Sequence, residues 1–426
     1  DRVNILLVVL VPLTLVCVLF APWLVRTVVA PALAESIQVR TVVLMRVMLF
    51  STAIFGVSGI VMGTLNAHQH FLLPAIAPIF YNLALIGGAV LGGVTGIGAM
   101  GPAIGMVIGA LAHLLVQVPG LLRYRARYTP LLGLDDQGVR EVGLLMAPRV
   151  LGMAALQLNM VITNNLASHL GTGAISALEY AYRLMLLPQG VFAQAVGTVA
   201  FPTFSAQVAR GELDELRQTL TTTLCTLIAI TLPASTGLIM LGQPLIALLF
   251  QGGEFDQAST RSVAWALSLF ALGLVAHSAI EVLARAFYAL YDTWTPAGAA
   301  VLSMVLNVLL GLSLPPLFTR SPAHGGLALA NALAVLAEMY VLLVLIHRRI
   351  GGLDSRRILI LSIRALLASV GMSVVLFLWL RIAPASLLIQ SVIGLGLGVV
   401  VYGGLAFLLR IDELQRMVKV VLRRNA

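Results

Sequence analysis

The sequence predicts an all-α polytopic membrane protein, and three observations carry that prediction. Of 426 residues, 60% are hydrophobic and only 10% charged, with mean hydropathy +1.01. Soluble domains average about 25% charged residues, and a soluble chain this apolar could not cover its core with polar surface. Apolar runs of about 20 residues, enough to cross a bilayer core, recur from one end of the chain to the other. Most of the formal charge of +9 falls in loops, where positive charge sets membrane orientation rather than nucleic-acid binding.

Twelve helical spans follow from the apolar runs: 3–29, 42–66, 71–93, 99–123, 138–169, 174–207, 215–241, 257–290, 293–314, 324–347, 359–381 and 386–409. The first is too long and apolar for a cleavable signal peptide and lacks a small-residue cleavage pattern. It holds Cys17, and the seventh holds Cys225; both read as small core residues, not as a disulfide or metal framework. The second carries Arg46 and ends at NAHQHF, whose His68 and His70 read as a solvated loop pair. The third and fourth share the small-residue run Gly87–Gly105, which permits close packing and bending. The fifth carries Arg149 and Asn159. The sixth carries Glu179 and Arg183 and meets Pro188, which predicts two half-helices. The acidic loop Gly252–Gln257 reads as a helix cap before the eighth span, which holds His277, Glu281 and Arg285. Asn307 and Glu338 lie in the ninth and tenth.

Orientation follows from arginine. Loops after spans four, six and ten, with the C-terminal tail, hold Arg123, Arg125, Arg127, Arg140, Arg210, Arg217, Arg348, Arg349, Arg356, Arg357, Arg416, Lys419, Arg423 and Arg424. The alternate loops hold only Arg26, Arg40, Arg261, Arg320 and Arg381. Both ends of the chain are therefore expected in the cytoplasm.

An internal repeat organises the spans. Pro12 pairs with Pro233 at an offset of 221, and Pro22 with Pro244 and Pro74 with Pro296 at 222. Gly101 and Gly326 pair at 225, which sets His113 opposite Glu338. Spans one to four thus match spans seven to ten, and the partners of spans five and six would lie before residue 1. The expectation is two pseudo-symmetric six-helix lobes, the first lacking its first two helices, plus a two-helix extension: residues 1–130, 131–350 and 351–426. On this reading the chain is an N-terminally truncated form.

No HExxH, P-loop, GxSxG or Cys/His cluster with metal spacing is present, so neither an enzyme, a metal nor a cofactor is expected. Charges inside spans are the better clue, because a charge at mid-bilayer costs about 2.5–3.5 kcal/mol and usually faces a cavity or a partner. Glu179 and Arg183 are four apart, as are Glu281 and Arg285, so each pair is either an intrahelical ion pair or part of a site. Arg149 and Arg183 lie in adjacent spans. Two or three arginines on a water-filled cavity would hold a large anion, since guanidinium grips phosphate oxygens bidentately. Asn82, Asn159 and Asn307 read as interhelical hydrogen-bonding residues.

Six segments, 21–31, 71–88, 146–159, 180–205, 249–256 and 281–296, among them YAYRLMLLPQGVFAQAVGTVAFPTFS and EVLARAFYALYDTWTP, resemble the MurJ (MviN) lipid II flippase family of the MATE/polysaccharide flippase superfamily. The resemblance implies fourteen spans in the family, two lobes around a cationic cavity, and a lipid-facing groove lined here by residues 359–409. It implies transport of lipid II from the cytoplasmic to the outer leaflet of the bacterial plasma (inner) membrane. Expected partners are lipid II or a similar polyprenyl-diphosphate lipid, membrane lipids and cell-wall synthesis proteins, with no nucleic acid. Arg183 matches the family's cavity arginine, while Tyr182 stands where many members have Asp. Asn307 is followed one turn on by Gly311, so the family's sodium site is not expected. The candidate substrate site is Arg183, Arg149, Glu179, Arg285, Glu281 and Asn159. A flippase for another polyprenyl-diphosphate glycan, a cation-coupled small-molecule exporter and a non-transporting scaffold are the competing readings.

Overall fold

The computed structural model describes residues 2–123, 154, 157–319, 321–384, 386–411, 413 and 414. Among them the chain is helical almost throughout, and the one β feature is an isolated bridge between Gly252 and Phe255. Ten helices are long and apolar enough to cross a membrane, and a bent pair makes an eleventh. The chain forms two compact units, residues 1–165 and 166–426. The expected lobe boundary at 130/131, Arg149 and the first part of the expected span 138–169 lie outside the described residues.

In the first unit, α1 (Arg2–Trp23) runs into a π-helical turn (Leu24–Val29) and α2 (Glu35–Ala67) returns beside it. The Gln38 amide closes the connection, donating to the carbonyls of Ala30 at 3.2 Å and Pro31 at 2.9 Å. Arg46 is not loose in the bilayer region, for its Nε donates to the Val18 carbonyl at 3.1 Å and ties α2 to α1. α3 (Leu72–Thr95) stops at Gly96, which takes the left-handed conformation (φ +76°) that favours glycine at a helix C-terminus. α4 (Met100–Leu115) and the short α5 (Val118–Arg123) complete the hairpin.

The glycine run brings α3 and α4 into backbone contact. A methyl group at Gly88 would lie 2.5 Å from the Gly101 carbonyl oxygen, and one at Gly105 would lie 2.7 Å from that of Ala84. Association in lipid relies on such van der Waals approach because burial of apolar surface gives no gain there. His113 joins α4 to α2 through a 2.7 Å hydrogen bond with the Ser58 hydroxyl, and Gln117 donates to the same hydroxyl at 2.9 Å.

The second unit opens with α6 (Ala174–Pro188), a π-helical turn (Gln189–Gln194) and α7 (Ala195–Ala209). Pro188 does not split this span as expected. The missing N–H is absorbed where the ladder widens from α to π pairing, so 174–209 stays one continuous span. α8 (Leu213–Phe250) follows, with Asp214 and Glu215 in its first turn, where the helix dipole favours carboxylates.

The break lies instead inside the expected span 257–290. α9 (Gln257–Ala271) and α10 (Leu274–Ala289) meet at 46°. Gly273 at the bend lets the chain approach α12, since a methyl there would come within 3.0 Å of the Ala332 Cα. α9 is capped as expected of the acidic loop: the Asp256 carboxylate accepts from the Ser259 N–H at 2.8 Å. α11 (Trp294–Ser313), α12 (His324–Arg349), α13 (Ser355–Ile382) and α14 (Leu387–Leu408) complete the unit.

Three apolar clusters hold this unit together. Phe204, Leu220, Val282, Phe287 and Ile346 join α7, α8, α10 and α12. Met185, Ile246, Leu267 and Phe270 join α6, α8 and α9. Ala229, Leu241, Ala365, Met372 and Tyr402 seat α13 and α14 on α8, with the Tyr402 hydroxyl donating to the Ala229 carbonyl at 2.6 Å.

Candidate functional site

The two Glu–Arg pairs, identical in spacing, are held differently. On α6, Arg183 Nε lies 3.4 Å from Glu179 Oε2 and makes no other hydrogen bond among the described residues. Its side chain is 78% exposed. On α10, Arg285 Nη1 lies 2.8 Å from Glu281 Oε1 and 2.8 Å from the Glu281 carbonyl oxygen. Its Nη2 reaches across to Gln194 Oε1 on the π turn at 3.0 Å, and the guanidinium packs on Gly197. Only 18% of the Arg285 side chain is exposed.

The two arginines therefore offer different chemistry. Arg285 has its donors committed to three acceptors and fastens α10 to the π turn. Arg183 has a guanidinium fork with donors to spare, the geometry that grips a phosphate or carboxylate. Tyr182, beside it, turns the other way. Its ring packs edge-on against Phe270 at 5.4 Å and against His277 at 6.2 Å, within the core shared with α9. His277 in turn pairs with the Asn331 amide oxygen at 3.3 Å.

The remaining candidates are scattered. Asn159 lies in the helical stretch 157–168, where its backbone carbonyl accepts from the Thr163 hydroxyl at 2.9 Å. Asn307 is buried in α11. Glu338 on α12 faces Ser303 of α11, whereas His113, its repeat counterpart, bonds Ser58 of α2. The repeat thus preserves a polar position but not its partner. Among the described residues no three His, Cys, Asp or Glu side chains converge as a metal site.

The surface that sequence reasoning located only in part is an apolar groove of about 840 Å³. One wall is α14, with Leu395, Val399, Tyr402 and Phe407, and α13 adds Met372 and Leu376. These lie within the expected 359–409. The other walls are α8, from Ala229 to Leu249, and α6, through Leu184, Leu187 and Pro188. No run of residues in α6 or α8 marks them as groove-lining, because apolar residues facing a groove and facing lipid look alike in sequence. Arg183 is the immediate neighbour of Leu184, so α6 carries an exposed cation on one side and groove wall on the next.

At the end of α13 and α14, beside this groove, lies a second pocket of about 270 Å³ lined by Arg356, Arg357, Arg364 and Arg410 together with Asp354 and Glu413. The two pockets share Ile411.

Comparison with known proteins bears on this arrangement. A family model described as "Lipid II flippase MurJ" matches residues 2–398. The lipid II flippase MurJ of Burkholderia cenocepacia is 30% identical over 345 residues, which cover 79% of this chain and 66% of that relative. Two further curated relatives are spanned over 53% and 61% of their own lengths, so the chain covers about two thirds or less of these proteins. A solved lipid II flippase MurJ in an inward closed conformation superposes with TM-score 0.80 at 24% identity, covering 96% of this chain and 83% of that one. An inward-facing MATE family multidrug resistance transporter of the MOP superfamily superposes with TM-score 0.69 at 18% identity, covering 82% and 79%. These two likenesses speak for the fold.

Proposed function

Because the chain belongs to the lipid II flippase MurJ family, we propose that it moves lipid II across the bacterial plasma membrane, from the cytoplasmic to the outer leaflet, by alternating access of two lobes. The observation that carries this reading is α6, which bears the exposed guanidinium of Arg183 directly beside the groove residues Leu184 and Leu187. A diphosphate joined to a long polyprenyl tail needs that combination, a cation for the head next to an apolar channel for the chain.

Arg183, with Glu179 holding its side chain, contacts the diphosphate. Arg285, Glu281 and Gln194 keep α10 fixed to the π turn and position α6 rather than touching substrate. The lobes correspond to residues 1–130 and 131–350 and the extension to 351–426, and the Arg-rich loops support a cytoplasmic position for both ends of the chain. Cell-wall synthesis proteins are partners of such an activity, since they consume lipid II on the outer face.

The test is translocation in cells that depend on the full-length protein. Arg183→Ala is expected to abolish accumulation of lipid II on the outer face, and unimpaired translocation overturns the assignment. Rescue of a strain depleted of its own lipid II flippase separates lipid II from another polyprenyl-diphosphate glycan.

A further inference from the structure

The arginine pocket at the end of α13 and α14 is not used by the function proposed above. Among the described residues, Arg357 is the one of the pocket's four arginines that is ion-paired, with Glu413 at 2.8 Å, and Glu413 is 6% exposed. Arg357 also donates to the Thr222 hydroxyl at 3.3 Å, which makes this pair part of the pocket wall. Arg364 is oriented by donating to the Arg410 carbonyl at 3.0 Å. Arg356, Arg364 and Arg410 have no carboxylate within ion-pair distance among the described residues. Arg410 stands at φ +54°, a conformation that most residues avoid, and it ends α14 so that the chain turns beside the pocket. The four arginines of the lining outnumber its two carboxylates, Asp354 and Glu413, and an oxyanion with several acceptor oxygens offsets such an excess of positive charge.

The adjoining groove narrows the choice of anion. Along α8 it extends from Ala229 to Leu249, about 30 Å at 1.5 Å per residue. That is about the thickness of the hydrocarbon core, and about twice the depth of one leaflet. An acyl chain of a phospholipid reaches only the bilayer midplane, whereas a polyprenyl chain fills such a length.

The geometry points to the Arg356/Arg364/Arg410 pocket as a docking subsite for the diphosphate of a polyprenyl lipid whose tail lies in the groove, separate from the Arg183 position. It rests on the proposed function for the class of lipid. The lipid engages first with its phosphates at the groove end, and its tail is already seated when the head group moves toward Arg183.

The test uses full-length protein carrying Arg183→Ala, so that only the pocket is read, in phosphatidylcholine nanodiscs with undecaprenyl diphosphate as the probe. Adding Arg356→Gln and Arg410→Gln is expected to weaken binding at least tenfold while leaving binding of uncharged undecaprenol unchanged. Unaltered diphosphate binding in that variant overturns the inference. Displacement of the probe mole for mole by phosphatidylglycerol also overturns it, giving the pocket to phospholipid head groups, as does full competition by millimolar inorganic phosphate, giving it to a free anion. Failure of the Arg183 translocation test with loss of probe binding here removes the central-site assignment alone. The reverse outcome removes this subsite alone.

Discussion

Arg285 on α10 donates through Nη2 to Gln194 Oε1 on the π turn, 3.0 Å away and 91 positions earlier in the chain. The bond joins the helix following the 46° bend to the turn that follows Pro188. The π turn and α10 are thus fastened to each other.

Cutting that bond should cost stability and not cation supply. Arg285→Ala leaves the Glu281 carboxylate and the Gln194 amide without their partner, and losses of this kind run to about 2 kcal/mol. Unfolding of the detergent-solubilised protein should show a clearly lowered midpoint for Arg285→Ala. Arg183→Ala, at an exposed position, should leave the midpoint within experimental scatter while removing transport.

The α3–α4 seam predicts a sharp positional contrast. Gly105→Val places a side chain against the Ala84 carbonyl, and overpacking of this kind costs about 1–3 kcal/mol. Gly93→Ala, where the added methyl meets nothing within 4 Å, should be neutral. Thermal stability of the two variants side by side checks the seam, and equal values would remove it.

Filling the groove should stop transport without unfolding the protein. Gly403 lines the groove, and a side chain there enters open space. Gly403→Phe should reduce lipid II translocation at least tenfold with an unchanged unfolding midpoint.

Acid sensitivity follows from Asp292, in the loop between α10 and α11. The Thr295 N–H donates to its carboxylate at 3.0 Å, and the Thr295 hydroxyl and Arg349 each lie 2.8 Å away. These contacts, the backbone hydrogen bond foremost, hold the carboxyl below its ordinary range. A depressed folded-state pKa contributes stability above the unfolded value of about 3.9 and loses it as pH falls through the folded value. The unfolding midpoint should therefore be insensitive to this group between pH 7 and 5 and fall below about pH 4. Asp292→Asn should flatten that acid limb, measured as midpoint against pH.

The spans were legible because each needs about 20 apolar residues whatever its neighbours do, and eleven of the twelve expected spans are seen among the described residues, one of them bent. The capping role of the Gly252–Gln257 loop was legible too, since an Asp at a helix start acts through adjacent backbone. Irregularities were not. Pro188 signalled a break that π pairing absorbs, while the actual bend falls at Gly273, one glycine among many in the chain, picked out by the close approach of Ala332. The repeat illustrates the same limit, for α2 is one continuous helix over Glu35–Ala67 where its counterpart is the bent pair α9 and α10.

The two arginine pairs mark where sequence ends and tertiary structure begins. Sequence determined a helical membrane protein with two Glu–Arg pairs at helical spacing, because hydropathy and a four-residue step are local properties of the chain. It could not rank Arg183 against Arg285. Folding did so by bringing Gln194 and Gly197 against one guanidinium and leaving the other at the surface beside the groove, since the acceptors that satisfy a charge in a helix bundle come from other helices.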